Sequence, residues 1–113
     1  MALRGFVQAR QRLGQIEEAG VRWSLLESLL ASRGWPDRLV IALEQSLIGG
    51  ADRASYSREA DVSSATASSD FRRLVDAALV APRGRGRSIR YHASPHVRSQ
   101  VAAAVAARGT ANA

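Results

Sequence analysis

Cysteine is absent from this 113-residue chain, and so is lysine. Without cysteine there is neither a disulfide framework nor a thiolate metal site, and the composition fits a reducing compartment. All 16 basic residues are arginine, which together with the abundance of alanine reads as the codon bias of a GC-rich bacterium. Aromatic residues make up only 5% of the chain, so its core is expected to be aliphatic. No apolar run approaches the roughly 20 residues that span a bilayer. The N-terminus has no charged segment followed by an apolar block, so it is not a secretory signal. These absences predict a cytoplasmic protein with no membrane partner.

Catalytic constellations are missing too. His92 and His96 are four apart, but Pro95 lies between them, so they do not share one helix as a zinc-binding pair requires. There is no clustered pair of carboxylates and no serine in a context that suggests an activated nucleophile. No phosphate-binding or dinucleotide fingerprint occurs. No enzyme activity, metal or cofactor is expected.

What is present is a hydrophobic share of 46%, enough for the core of one small domain. The net charge of +6 is unevenly placed. Residues 1–52 hold six arginines against six acids, and residues 53–113 hold ten against four. The whole excess lies in the second half. A localised basic surplus is the electrostatic footprint of a polyanion binder, with an arginine-rich proteome as the plainer alternative.

Residues 2–33 carry no proline and many helix formers, which predicts a helix. Phe6, Leu13 and Gly20 recur at seven-residue spacing, as do Ala9, Ile16, Trp23 and Leu30. Gly14 and Gly20 each cost about 1 kcal/mol against alanine in a helix interior, so a break near either is expected. The segment 1–34 is read as a packing or dimerisation element, which makes a homodimer an expected state. Gly34 suits a helix C-cap and Pro36 the start of the next helix. That helix covers residues 36–48 through Leu39, Val40, Leu43 and Leu47 and ends at Gly49-Gly50. Trp35 reads as a hydrophobic anchor between the two helices, with nucleic-acid stacking as an alternative that no neighbouring residue supports.

The densest signal runs from Ser57 to Tyr91. Residues 54–60 form a short helix with Tyr56 and Ala60 on its core side. Asp61-Val62 makes a turn, and Ser63 is an N-cap. Val62 can pack on Ala67 as a staple. Ala67, Phe71, Leu74, Val75 and Ala78 then form one apolar stripe at helical spacing. The opposite face carries Ala65, Ser68, Ser69, Arg72 and Asp76, with Arg73 alongside. Its first two turns are small and polar, through Ser64, Ala65, Thr66, Ser68 and Ser69. Small residues let a helix approach the floor of the major groove, and hydroxyls pair with phosphate or base edges. An ordinary serine-capped surface helix is the alternative. Leu79-Val80-Ala81 and Ser88-Ile89-Arg90-Tyr91-His92 read as the strands of a hairpin. Its tip alternates arginine with glycine from Arg83 to Arg87. Glycine supplies the positive φ of a tight hairpin, and Arg83, Arg85, Arg87 and Arg90 concentrate charge there. A solvated turn that only aids solubility is the plainer reading of that tip.

This segment resembles the winged-helix domain at the C-terminal end of many Fic-family proteins. That pattern runs Y-x-x-x-t-G-V-S-x-A-T-A-S-R-D-L-x-x-L-V-x-x-G-L-L and then G-x-G-R-S-x-x-Y. The chain matches it at Tyr56, Val62, Ser63, Ala65, Thr66, Ala67, Ser68, Asp70, Leu74, Val75 and Leu79, then at Gly84, Gly86, Arg87, Ser88 and Tyr91. It departs at Asp61 and Ala78, where the pattern has glycine, at Ser69, where it has arginine, and at Phe71, where it has leucine. The Fic catalytic signature, HPFxxGNGR, is absent. The resemblance implies a C-terminal piece, with a Fic catalytic domain in its parent protein as a partner.

The expected fold is mainly α. It is a winged helix-turn-helix over residues 35–101, with a small β-hairpin wing, an added N-terminal helical segment and an alanine-rich tail over 102–113, frayed after Gly109. The expected function is double-stranded DNA binding, as a transcriptional regulator or as the DNA-binding appendage of a Fic-type protein. Ser64, Ala65, Ser68, Ser69 and Arg72 would face base edges. Thr66 and Arg73 would lie near phosphates, and Arg83, Arg85, Arg87 and Arg90 would grip the flanking backbone. The rival is a protein-interaction or dimerisation module that regulates a Fic-type adenylyltransferase without touching DNA, since a fold does not fix a function.

Overall fold

The computed structural model describes the backbone of residues 2–111 and the side chains of residues 18–86 and 88–107. Five helices and one hairpin follow in the order α1 (Ala2–Arg33), α2 (Leu39–Leu47), α3 (Arg53–Ala60), α4 (Ser64–Asp76), β1 (Val80–Arg83), β2 (Arg90–Ala93) and α5 (Pro95–Ala111). This is the expected mainly helical winged helix-turn-helix.

Helix α1 runs through Gly14 and Gly20 without the expected break. The seven-residue series holds at Leu30 but not at Trp23. Leu26 and Leu30 are fully buried, whereas Trp23 is 40% exposed. The four-residue spacing from Arg22 to Leu26 to Leu30 turns one side of α1 toward α2. There Arg22 Nη2 donates to Glu44 Oε1 at 2.8 Å. Phe6, Ala9, Leu13 and Ile16 lie outside the described side chains.

Helix α2 begins at Leu39, three residues after the expected start, because Pro36, Asp37 and Arg38 form a turn first. Leu39, Val40, Ala42 and Leu43 are buried on it, and Leu47 packs at the edge of the core. Helices α3 and α4 each start on a side-chain cap. Asp52 accepts from the Ser55 amide at 2.9 Å and Ser63 from the Thr66 amide at 3.1 Å. Each cap satisfies one of the amides that a helix start leaves without a partner.

The helix ends share one device. After α1, the Gly34 amide donates to Ala31 and the Trp35 amide to Leu30. After α4, the Ala78 amide donates to Val75 and the Leu79 amide to Leu74. Both are Schellman caps, which put the residue after the helix in the left-handed region. Glycine fills that place in α1 with φ +70°, but alanine fills it in α4 with φ +60°, and Asp61 with φ +55° follows α3. Ala78 is therefore exposed beyond the helix, and the buried stripe of α4 stops at Leu74, with Val75 half-buried.

The hairpin pairs Val80 with Ala93, Ala81 with His92, Pro82 with Tyr91 and Arg83 with Arg90. Both strands start one or two residues later than the sequence suggests. Ala51 adds a single antiparallel bridge to Tyr91, with hydrogen bonds of 2.8 and 2.7 Å. The alanine-rich C-terminus belongs to a helix that starts at Pro95, crosses residue 102 and packs against α1. Ser94 caps it through the Val97 amide at 3.3 Å, and proline is favoured at the first helical position. Among the described residues no helix is long and apolar enough to cross a membrane.

Candidate nucleic-acid interface

Helix α4 is the centre of the site, and its two faces have separate duties. Ala67, Asp70, Phe71 and Leu74 are buried. Ser64, Ala65, Ser69, Arg72 and Arg73 are exposed, while Thr66 and Ser68 are half-buried. The Thr66 hydroxyl accepts from the Ser63 hydroxyl at 3.0 Å, so it takes part in the cap. Ser68 accepts from Arg53 Nη1 at 3.3 Å. That contact brings a guanidinium from the start of α3 to the edge of the exposed face.

Asp70 is a buried carboxylate on the inner face, 2% exposed. It receives Arg38 Nε at 2.8 Å and Arg38 Nη2 at 3.0 Å on its two oxygens, and the Tyr56 hydroxyl at 2.7 Å. Burial pushes its pKa upward. The hydrogen bonds from Arg38 and Tyr56 outweigh burial and hold the carboxyl below its usual range. Burial and the hydrogen bond to Asp70 raise the pKa of Tyr56, so its hydroxyl stays a donor. One side chain thus ties α4 to the turn before α2 and to α3. Three aromatic rings extend the connection to the wing. Tyr56 meets Phe71 edge-on at 5.2 Å, and Phe71 stacks on Tyr91 at 4.3 Å with 11° between planes. Helix α4 and the wing are therefore packed as one unit.

At the wing, Arg83 and Arg90 stand directly opposite each other across the two strands. Like charges in that position destabilise a hairpin. Arg83, Arg85 and Arg90 are all exposed. The side chain of Arg87 lies outside the described residues. The tip is held by its own backbone. Ser88 donates its hydroxyl and its amide to the Arg85 carbonyl at 2.8 and 3.1 Å. Gly84 has φ +96°, and a Cβ there would meet the Ser88 carbonyl at 2.7 Å, so only glycine fits. The ion pairs among the described residues are Arg22–Glu44 and Arg38–Asp70. Among the described residues no carboxylate lies within ion-pair distance of Arg72, Arg73, Arg83, Arg85 or Arg90, although Asp52 acts on Arg90 and Asp70 on Arg73 at longer range.

Trp35 packs against the core as expected of a junction anchor. It also carries two cations. The Arg33 guanidinium lies 5.2 Å from its ring centroid and that of Arg73 lies 5.6 Å away. A shallow cleft of about 460 Å³ opens there, lined by Trp35, Ser69, Arg72, Arg73, Asp76 and Ala77. Sequence reasoning missed Asp70, Arg38, Arg53 and Arg33 as parts of the site. Asp70 had a signal. An acid between Ala67 and Phe71 sits on the buried stripe and requires a cation or a donor. Arg33 and Arg53 had none, because their contacts depend on how the helices pack. His92 lies on β2 and His96 in the first turn of α5.

No family model matches the sequence, and no curated protein matches it. Among solved structures, the chain is similar to the multiple antibiotic-resistance repressor (MarR) from Listeria monocytogenes 4b F2365. The TM-score is 0.55 at 11% identity, over 94% of this chain and 73% of that one. It is also similar to a MarR family transcription regulator, with a TM-score of 0.52 at 23% identity, over 98% of this chain and 72% of that one. At these identities the likeness is one of fold, and the chain shares the winged-helix architecture of both regulators.

Proposed function

We propose that this protein is a winged-helix transcription regulator that binds double-stranded DNA. Helix α4 enters the major groove. Ser64, Ala65, Ser68, Ser69 and Arg72 face base edges, and Thr66 and Arg73 lie near phosphates. Arg83, Arg85, Arg87 and Arg90 of the wing hold the flanking backbone. The observation that carries this reading is the cross-strand pair of Arg83 and Arg90 at the wing tip. A hairpin that serves only as a turn gains nothing from facing cations. A phosphate between them turns their repulsion into attraction, and each neutralised phosphate releases counterions. The fold shared with two regulators supports the same reading.

The protein acts in this proposal as a homodimer joined through α1, in the cytoplasm of a bacterium, with no membrane partner. A two-fold pair presents two recognition helices to half-sites about one helical turn apart. The exposed Trp23 on α1 is available to such an interface. Membership of a Fic-type protein is a finer proposal that rests on the residues of segment 56–91 alone, and DNA binding does not depend on it.

The test replaces Arg83, Arg85 and Arg87 with alanine. Affinity for a DNA duplex should fall, and the slope of log K against log salt should flatten by about 2–3. Unchanged affinity and slope would remove the wing from the interface and favour a protein-interaction module.

A further inference from the structure

We infer that the cleft at Trp35 is a second backbone clamp. There Arg73, which lines the cleft, and Arg33, which stands at the Trp35 ring beside it, grip a DNA phosphodiester on the side of α4 away from the wing. The inference rests on the proposed DNA-binding reading and adds Arg33 and Trp35 to it.

The argument begins with helical geometry. At 3.6 residues per turn each residue advances about 100° around the axis. Phe71 points to the wing, where it stacks on Tyr91. Ser69 and Arg73 are each two residues from Phe71, so each lies about 160° around the helix from it. These two residues line the cleft. Phe71 is also buried in the core, so Ser69 lies on the outward face, and Arg73, about 60° around the helix from the buried Asp70, stands on the flank turned away from the wing. A helix with its side chains is about 10–12 Å across, and the major groove is about 12 Å wide. A helix seated in that groove fills it, so one phosphate backbone runs along each flank. The wing meets one of them, and the cleft meets the other.

The chemistry of the cleft fits that neighbour. Two guanidiniums lie over one indole. The ring holds each cation by its face, which leaves the N–H groups at the edge free to donate. A phosphate oxygen is the acceptor that such a fork takes best. Neither Arg33 nor Arg73 has an ion-pair partner among the described residues. Arg72 and Arg73 line the cleft against the carboxylate of Asp76, and Asp70, which also acts on Arg73, is already paired with Arg38. The balance favours an anion. The indole also limits the rotamers of both arginines before binding, which lowers the entropy lost on contact.

The experiment compares wild type with R33A and R73A. Both residues are exposed, so the variants should fold. Binding to two labelled duplexes of unrelated sequence is followed by fluorescence anisotropy at several salt concentrations. Each variant should lose affinity equally on both duplexes and flatten the salt slope by about 1. In a W23F background, Trp35 becomes the only tryptophan, and its fluorescence should change on DNA binding. A wild type that binds while R33A keeps its slope would overturn the clamp and leave DNA binding standing. A loss confined to one sequence would also overturn it, because that marks base reading. A folded wild type with no affinity for DNA would overturn the clamp together with the reading beneath it.

Discussion

Replacing Asp70 with alanine should destabilise the protein by about 2–4 kcal/mol. The figure comes from what each partner loses. The Tyr56 hydroxyl is buried and donates a hydrogen bond to Asp70. Left without an acceptor, it costs about 1–3 kcal/mol. Arg38 is different, because its side chain is 35% exposed and its guanidinium can turn to water. Its share is therefore small, and the total falls about 1 kcal/mol below the roughly 3–5 kcal/mol seen when a fully buried pair is broken. In urea, with a slope of about 1.5 kcal/mol per molar, a 3 kcal/mol loss lowers the unfolding midpoint by about 2 M. The Y56F background supplies the control. There D70A should cost about 1–2 kcal/mol less, because the stranded hydroxyl is gone. The network also predicts an acid limb. The folded state holds the Asp70 pKa below its unfolded value of about 4. Its contribution is full above that pH and is lost as pH falls through the folded value. D70N should remove that part of the acid sensitivity. A D70A loss below about 0.5 kcal/mol, or an equal loss with and without the Tyr56 hydroxyl, would refute the assigned role.

Three further perturbations follow from the backbone and the rings. A78G should stabilise the protein by about 1 kcal/mol in urea unfolding, because alanine at φ +60° carries a left-handed penalty that glycine avoids. G20A should stabilise by about 0.5–1 kcal/mol, read the same way, since a Cβ at Gly20 meets nothing within 4 Å inside a continuous helix. Y91A should cost about 2–3 kcal/mol by removing the ring stacked on Phe71, whereas Y91F keeps the stack and should be near neutral.

Much of the site was legible because it is written in residues with narrow uses. Ser63 announces a helix start, and alternating arginine and glycine announces a charged hairpin tip. The pattern of small residues on one side of α4 and apolar residues on the other sets its orientation. Other features were hidden by residues with broad uses. Alanine suits a helix interior, so Ala78 reads as helix although the backbone has already turned left-handed. The alanine run after residue 101 reads as a tail, although Ser94 and Pro95 mark the start of a helix that α1 then holds in place. The seven-residue spacing in α1 pointed to Trp23, but packing against α2 selects Leu26. Arg33, Trp35 and Arg73 come from three parts of the chain, and only the fold brings them together.

The most direct test of the account is fluorescence anisotropy with a labelled random duplex at several salt concentrations. If the four wing arginines each meet a phosphate, log K should fall against log salt with a slope of about −4, and more steeply if the Trp35 cleft adds its contacts. A folded protein with no affinity at low salt, or with affinity indifferent to salt, would contradict the account.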